Sequence, residues 1–285
     1  MDTMRAPMRR ESRQFRDENG IGALFGDVRI SPRVFREAGV IAFGALLYFL
    51  VRGLMETRVG LATSHAESLI NIERSLGIFH EPAIQAFVMQ WDWLVTLANR
   101  VYIFGHWPVI IGTLVWLLLR HRESFPLYRS ALLLSGLIGL VFFVMIPMSP
   151  PRFLADQGFI DTVTQGSNAY RVLQPPAFTN QYAAMLSLHV GWNLLMGIAI
   201  YRQSSWLGAR IFGVAMPLIM FLATIATANH YFLDGLVGSV VALTGLAIAW
   251  RISRPQSRPV TAHVAPIRPI KSRVLGQGWA QDRAA

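Results

Sequence analysis

Six apolar runs divide the chain: Ala38–Met55, Trp107–Leu119, Ser130–Pro147, His189–Tyr201, Leu207–Ala228 and Phe232–Trp250. Within each, apolar residues fall on every side of a helix rather than along one stripe. That is the pattern of helices that face lipid or one another inside a membrane. Several runs are shorter than the about 20 residues that cross a bilayer, so they are expected to extend into flanking sequence. The Trp107–Leu119 run is expected to begin near Val101. The stretch 56–106 differs. Ala66, Leu69, Ile70, Ile72, Leu76 and Ile78 recur near helical spacing, with Glu67, Asn71, Glu73 and Arg74 between them, and Ala83–Val88 and Trp91–Val95 follow. This periodicity predicts one or two amphipathic helices lying in the interface, with Trp91 and Trp93 at headgroup depth. A seventh span in this stretch would bury Asp92, Asn99 and Arg100. The expected fold is therefore all-α: a polytopic membrane protein, with a six-transmembrane-helix bundle and external interfacial helices.

Composition agrees. Hydrophobic residues make up 53% of the 285, and charged residues only 15%. The net charge of +10 is concentrated in two tails. Arg5, Arg9, Arg10, Arg13 and Arg16 lie at the front; Arg251, Arg254, Arg258, Arg268, Lys271 and Arg273 lie at the back. Flanking apolar runs, such residues signal topology and headgroup contact rather than nucleic acid, and nothing matches a nucleic-acid recognition fold. With six spans, both tails and the loops Arg120–Arg129 and Arg202–Arg210 fall on one side, which the charge bias makes cytoplasmic. Five or seven spans would break that agreement. Residues 56–106, 148–188 and 229–231 then lie outside. The chain is expected to divide into a cytoplasmic basic tail over 1–37, a six-span membrane domain over 38–251 and a disordered basic cytoplasmic tail over 252–285. Cysteine is absent, which excludes disulfide and thiolate chemistry. The first apolar run follows a long arginine-rich segment and is expected to stay as an uncleaved span.

Ionisable groups beside membrane spans are costly and call for a reason. Five converge at helix ends on the expected external face: His106, Arg152, His189, His230 and Asp234. His230 and Asp234 are four residues apart and share a helix face. The carboxylate there is able to orient the imidazole and stabilise its charge; a hydrogen bond closing the helix end would explain the pair as well. His189 follows Ser187 at a helix start, where it serves either as acid and base or as a cap. Arg152 follows Pro150-Pro151, where the third apolar run stops. It suits forked contacts to phosphate or snorkelling to headgroups. His106 lies one turn beyond Tyr102, in a site or in an aromatic belt. The chain has no Walker loop, nucleotide fingerprint or His-Glu-x-x-His sequence. Two histidines, an aspartate and an arginine suit phosphoryl transfer without a metal, one histidine attacking phosphorus and another protonating the leaving oxygen. No cofactor is expected. A lipid transporter and a metal-dependent membrane hydrolase are the competing classes.

Ser187-Leu188-His189 with Val190-Gly191-Trp192, and the run Asn229-His230-Tyr231-Phe232-Leu233-Asp234-Gly235, resemble the second and third motifs of the type 2 phosphatidic acid phosphatase superfamily. The similarity is closest to its inositolphosphotransferase-like branch, which includes the fungal inositol phosphorylceramide synthases and many bacterial proteins. Pro150-Pro151-Arg152 and Tyr102 with His106 are also similar to that branch, and the likeness covers about residues 65–250. The resemblance implies that His230 is a nucleophile forming a phosphohistidine, that Asp234 orients it, and that His189 is the acid and then the base. Arg152 would bind phosphate, with His106, Tyr102 and Ser187 as further candidate substrate contacts, and no metal is required. The implied partners are a lipid phosphate, the surrounding lipids and an acceptor of the inositol type or water. Three departures thin out the cations. Leu186-Ser187-Leu188-His189 replaces Pro-Ser-Gly-His. Ala223 and Thr224 replace Ser-Arg in the third motif. In the first, Met145 stands at the lysine position and Phe153 follows Arg152. Arg171, in the external loop, is a candidate replacement cation.

Overall fold

The computed structural model describes residues 32–54, 58–166, 182 and 185–253. Among these the chain is helical throughout, with no strands. The helices are α1 (Pro32–Leu54), α2 (Val59–Ser75), α3 (Glu81–Val88), α4 (Asp92–Phe104), α5 (Trp107–Arg120), α6 (Phe125–Met145), α7 (Thr162–Gly166), α8 (Leu188–Gln203), α9 (Leu207–Ala226) and α10 (Phe232–Ser253). Two short 3-10 turns, Pro151–Phe153 and Ala155–Gln157, follow α6. Proline sits in the first turn of α3, α5 and α6, where its missing N–H has no helical partner to lose.

α8 is the centre. It packs against α5, α6, α9 and α10, while α6 also lies along α10 and α1 along α6. Leu195, Met196 and Ala199 of α8 are wholly buried, and Trp192 packs among Tyr48, Leu140, Leu186 and Val241. Close approach is bought with glycine. A Cβ on Gly191 would collide with the Gly238 carbonyl oxygen, and one on Gly197 with the Gly213 carbonyl oxygen. Pro217 lies four residues after Gly213 inside α9. It offers no N–H to that carbonyl, so the α8 backbone seats where the α9 ladder is interrupted. At the other end of α6, the Arg129 guanidinium donates to the buried carboxylate of Glu37, tying α1 to α6.

Among the described residues, α6, α9 and α10 are each long and apolar enough to cross a membrane; α4 and α5 reach that length and hydropathy only as a pair, bent by 44° at the break between them. The other two expected spans fall outside that measure. α1 carries Arg33, Arg36, Glu37 and Arg52 among its 23 residues. α8 has 16 residues, about 24 Å of helix, and is shielded by its neighbours. The stretch 56–106 also departs from the sequence reading. α4 packs against α9 and leads directly into α5, and α3 also lies against α9. α2 keeps its predicted apolar face: Ala66, Leu69 and Ile70 pack with Met148, Leu154, Phe159, Ala228 and Tyr231. Ile72 and Leu76 instead point outward, while Glu73, expected among the polar positions, is wholly buried.

The tight crossing of α8 and α10 gives a direct stability test. In Gly238→Ala the new methyl meets the backbone of Ser187, including its carbonyl carbon at 2.7 Å, which has no room to yield. Thermal unfolding in detergent should show a loss of about 1–3 kcal/mol from overpacking. Gly112→Ala, on α5 with open space at that position, should instead gain about 1 kcal/mol from helix propensity.

Candidate active site

The chain stops that end α6 and α9 and start α8 and α10 meet at one end of the bundle. After α9, Thr227 N–H donates to Ala223 O and Asn229 N–H to Thr224 O, while Ala228 takes a left-handed backbone with φ of 50°. That conformation is costly for a residue with a Cβ, and here it turns His230 back over the helix end. Asp234 follows in the first turn of α10. Its Oδ2 accepts the Tyr231 N–H at 3.3 Å and lies 3.5 Å from His230 Nδ1. Asp234 is fully buried and His230 nearly so.

The start of α8 is joined to the same turn. Ser187 N–H donates to the Asp234 carbonyl at 3.0 Å, directly over Gly238. Leu186, just before it, is a second non-glycine residue with a left-handed backbone, at φ 57°. Ser187 Oγ caps α8 by accepting the Val190 N–H at 3.4 Å. The serine is fully buried, so its hydroxyl is spent on the helix end rather than offered to an open site. His189 then projects toward His230, with their ring centroids 5.6 Å apart.

Behind His189 lies an aromatic stack. Tyr102 is 4.8 Å from it and nearly parallel, and His106 is 4.2 Å from it. His106 in turn lies flat on Trp192 at 5.8 Å. Asn193 Nδ2 donates to the His189 carbonyl at 2.8 Å and lies 3.3 Å from His106 Nδ1. The carbonyl contact directs the Asn193 amide nitrogen, a donor, toward His106 Nδ1. Both Tyr102 and His106 are buried; they back His189 and set its plane.

Arg152 sits in the 3-10 turn that follows the prolines. Its backbone N–H donates to Ala228 O at 2.8 Å, lacing this turn to the one that carries His230. Its Nη1 donates to Asn229 Oδ1, its Nε lies 3.8 Å from Asp161, and its guanidinium lies 4.7 Å over the Phe153 ring. The Asn229 amide is well matched to that task. Its Nδ2 donates to the Thr227 hydroxyl and carbonyl, which turns its oxygen toward the arginine.

Seven of the eight residues singled out in the sequence thus assemble at one place: His230, Asp234, His189, Arg152, His106, Tyr102 and Ser187. Arg171 lies outside the described residues. Four others were missed. Asn229 lies inside a quoted motif but received no role. Asn193 lies inside the His189–Tyr201 apolar run. Glu73 falls among the polar positions of its stretch and Glu81 received no part, yet both are wholly buried and accept the Leu233 and Phe232 N–H groups of α10, each at 2.8 Å. Burial, reinforced by Glu81 and Asp234, pushes the Glu73 carboxyl up to about 8. Burial also pushes the Tyr231 phenol well above its ordinary range, with Asp234 and Glu73 adding to it. Among the described residues, no group of three or more His, Asp or Glu side chains is arranged to hold a metal ion.

A family model described as the PAP2 superfamily matches residues 67–248, a range that contains every residue named in this site. It supports the superfamily and does not single out the inositolphosphotransferase-like branch. No curated protein and no solved structure matches the chain.

Two imidazoles facing one another, with a guanidinium tied to the residue next to one of them, are side-chain types that suit a tetrahedral oxyanion. Inorganic phosphate, followed by calorimetry or by protection against thermal unfolding, should bind Arg152→Ala about 10–100-fold more weakly, the scale of a lost charge-assisted hydrogen bond. Asn229→Ala keeps the charge and removes its anchor, so the loss should be smaller. Unchanged binding in Arg152→Ala would remove the arginine from the site.

Proposed function

Because the chain belongs to the PAP2 superfamily, whose members are generally phosphatases or phosphotransferases, we propose that it is an integral membrane enzyme acting on a lipid phosphoester through a phosphohistidine at His230. The observation that carries this reading is the facing of His230 and His189 across 5.6 Å, with Asp234 behind one ring and Arg152 anchored to the residue next to it. Asp234 addresses Nδ1, so Nε2 is the nitrogen that attacks. In the first step the Nε2–P bond forms, the bond from phosphorus to the lipid oxygen breaks, and His189 gives its proton to the departing alkoxide. In the second step His189 takes the proton of an acceptor hydroxyl, the new O–P bond forms, and the N–P bond breaks. Arg152 offsets charge on the phosphoryl oxygens in both transition states. The acceptor is an alcohol of the inositol type or water. An assay that separates new phospholipid from released phosphate distinguishes the two.

We place this site on the external face, with both termini and the loops Arg120–Arg129 and Arg202–Arg210 in the cytoplasm. The positive charge of those loops supports this, as does the course of α6, α8, α9 and α10, each of which runs between an arginine-bearing end and the histidine end. In this reading α1, the bent pair α4–α5, α6, α8, α9 and α10 make six passes. Because the chain has no cysteine, Gln157→Cys should react with an impermeant maleimide from outside intact cells. Reaction from the cytoplasmic side alone would overturn the topology.

Loss of the nucleophile and loss of the acid should leave different signatures. His230→Ala should abolish turnover and phosphoenzyme together, whereas Asp234→Asn should slow turnover by as much as ~10⁴-fold. Normal turnover in His230→Ala would end the mechanism. General-acid help is typically worth ~10²–10⁴-fold and matters most for a basic leaving group. In single-turnover measurements, His189→Ala should therefore lose far more rate with the lipid than with a nitrophenyl phosphoester. Equal losses would mean that His189 binds phosphate or holds structure.

A further inference from the structure

Glu73 and Glu81 lie outside the chemistry just described, yet they are held against it. Glu73 comes from α2 and Glu81 from the first position of α3, and neither has any exposed surface. Glu73 Oε1 accepts the Leu233 N–H and Glu81 Oε1 accepts the Phe232 N–H. With Asp234 accepting the Tyr231 N–H, three consecutive backbone donors at the start of α10 are taken by carboxyls from three parts of the chain. These donors have no partner within the helix and otherwise require water or a cap. The segment they fix is the one that presents His230.

The second oxygens, Glu73 Oε2 and Glu81 Oε2, are buried and have no hydrogen-bond donor. Two ionised carboxylates are acceptors only, and side by side in a dry site they repel. One proton between them resolves both problems, converting one acceptor into a donor and halving the charge. The other titratable groups facing Glu73 are acidic: Asp234 and Tyr231 from the start of α10, with Asp156 of the second 3-10 turn facing Tyr231. His230 joins the set through Asp234.

We propose that Glu73 and Glu81 share one proton and act as a paired positioning cap, which locks the first turn of α10 and so holds His230 and Asp234 in register. Its catalytic consequence rests on the phosphohistidine reading; the shared proton and the cap do not. Glu73 ionises near 4.5 when free and only at about 8 in the fold, mainly because it is buried. The folded chain therefore binds more protons than the unfolded chain between those values. The stabilisation linked to this proton is complete below 4.5 and is lost as pH rises to about 8.

The test uses the full chain in detergent micelles, as wild type, Glu73→Gln and Glu73→Ala. Glutamine keeps an oxygen for the Leu233 N–H and supplies a permanent N–H for Glu81, so it mimics the protonated acid. The wild-type unfolding temperature should fall across that pH window. Glu73→Gln should lack this component of the fall, and Glu73→Ala should be less stable at every pH. Turnover should follow: Glu73→Ala should lose kcat by about 10²-fold, the scale of misplaced reacting groups, with KM little changed. Glutamine should restore most of that loss and hold its rate above pH 8, where the wild type declines. Parallel unfolding profiles for wild type and Glu73→Gln, or a glutamine variant as damaged as the alanine one, would overturn the proposal. If Glu73→Gln does not fold, Glu81→Gln poses the same question from the other carboxyl. A wild type that unfolds as expected but turns over no lipid phosphoester would overturn the phosphohistidine reading and leave the shared proton standing.

Discussion

The hydrogen bond from the Ser187 N–H to the Asp234 carbonyl, made across Gly238, fixes how closely the starts of α8 and α10 approach. Each helix carries one of the two facing histidines near its first turn, so their separation is set by backbone contact rather than by flexible side chains. A Cβ at Gly238 or Gly191 would push the two helices apart, and the reacting groups would move with them. Effects of that kind are large, because productive geometry tolerates displacements well below an ångström.

The same end of the bundle concentrates what a folded chain otherwise avoids. Leu186 and Ala228 adopt left-handed backbone, Leu186 two residues ahead of the α8 start and Ala228 two residues ahead of His230. Asp234, Glu73 and Glu81 are fully buried, and Arg152 nearly so. Strain and buried charge persist only where surrounding contacts over-determine them. Here the contacts are backbone donors at the start of α10, the Asn229 amide on Arg152, and the Tyr231 hydroxyl on Ser149 O. Stability is given up locally to hold one arrangement of charges.

Placement of these groups at helix ends follows from the solvent. Within hydrocarbon, the backbone must be satisfied by the helix itself, which leaves only the ends able to present unpaired N–H groups and tightly turned chain. α8 shows a further economy. Wrapped by α5, α6, α9 and α10, it is short enough for its start to sit where those partners can cap and crowd it. His106 and Tyr102 reach His189 because the α4–α5 pair is bent by 44° just where His106 lies.

Much was legible along the chain. Continuous apolar runs identified α5, α6, α8, α9 and α10 to within a few residues, since hydrocarbon demands apolar side chains on every side. The four-residue spacing of His230 and Asp234 flagged them as a pair; they do meet, but His230 stands in the turn two residues ahead of α10 and not on its face. The motif around His189 and the proline stop before Arg152 marked the remaining ends. What sequence spacing lacked was distance between segments. The period of α2 put Glu73 among the polar positions, and nothing along the chain marked Glu81. Only the packing of α2 and α3 over the start of α10 turned both inward, onto N–H groups some 150 residues further along. Whether a carboxyl lies in water or caps a distant helix depends on what covers it, and covering is a tertiary event. The same reason packs α4 against α9. The sequence determined which residues had to leave water and which had chemistry to offer; the fold decided which of them met.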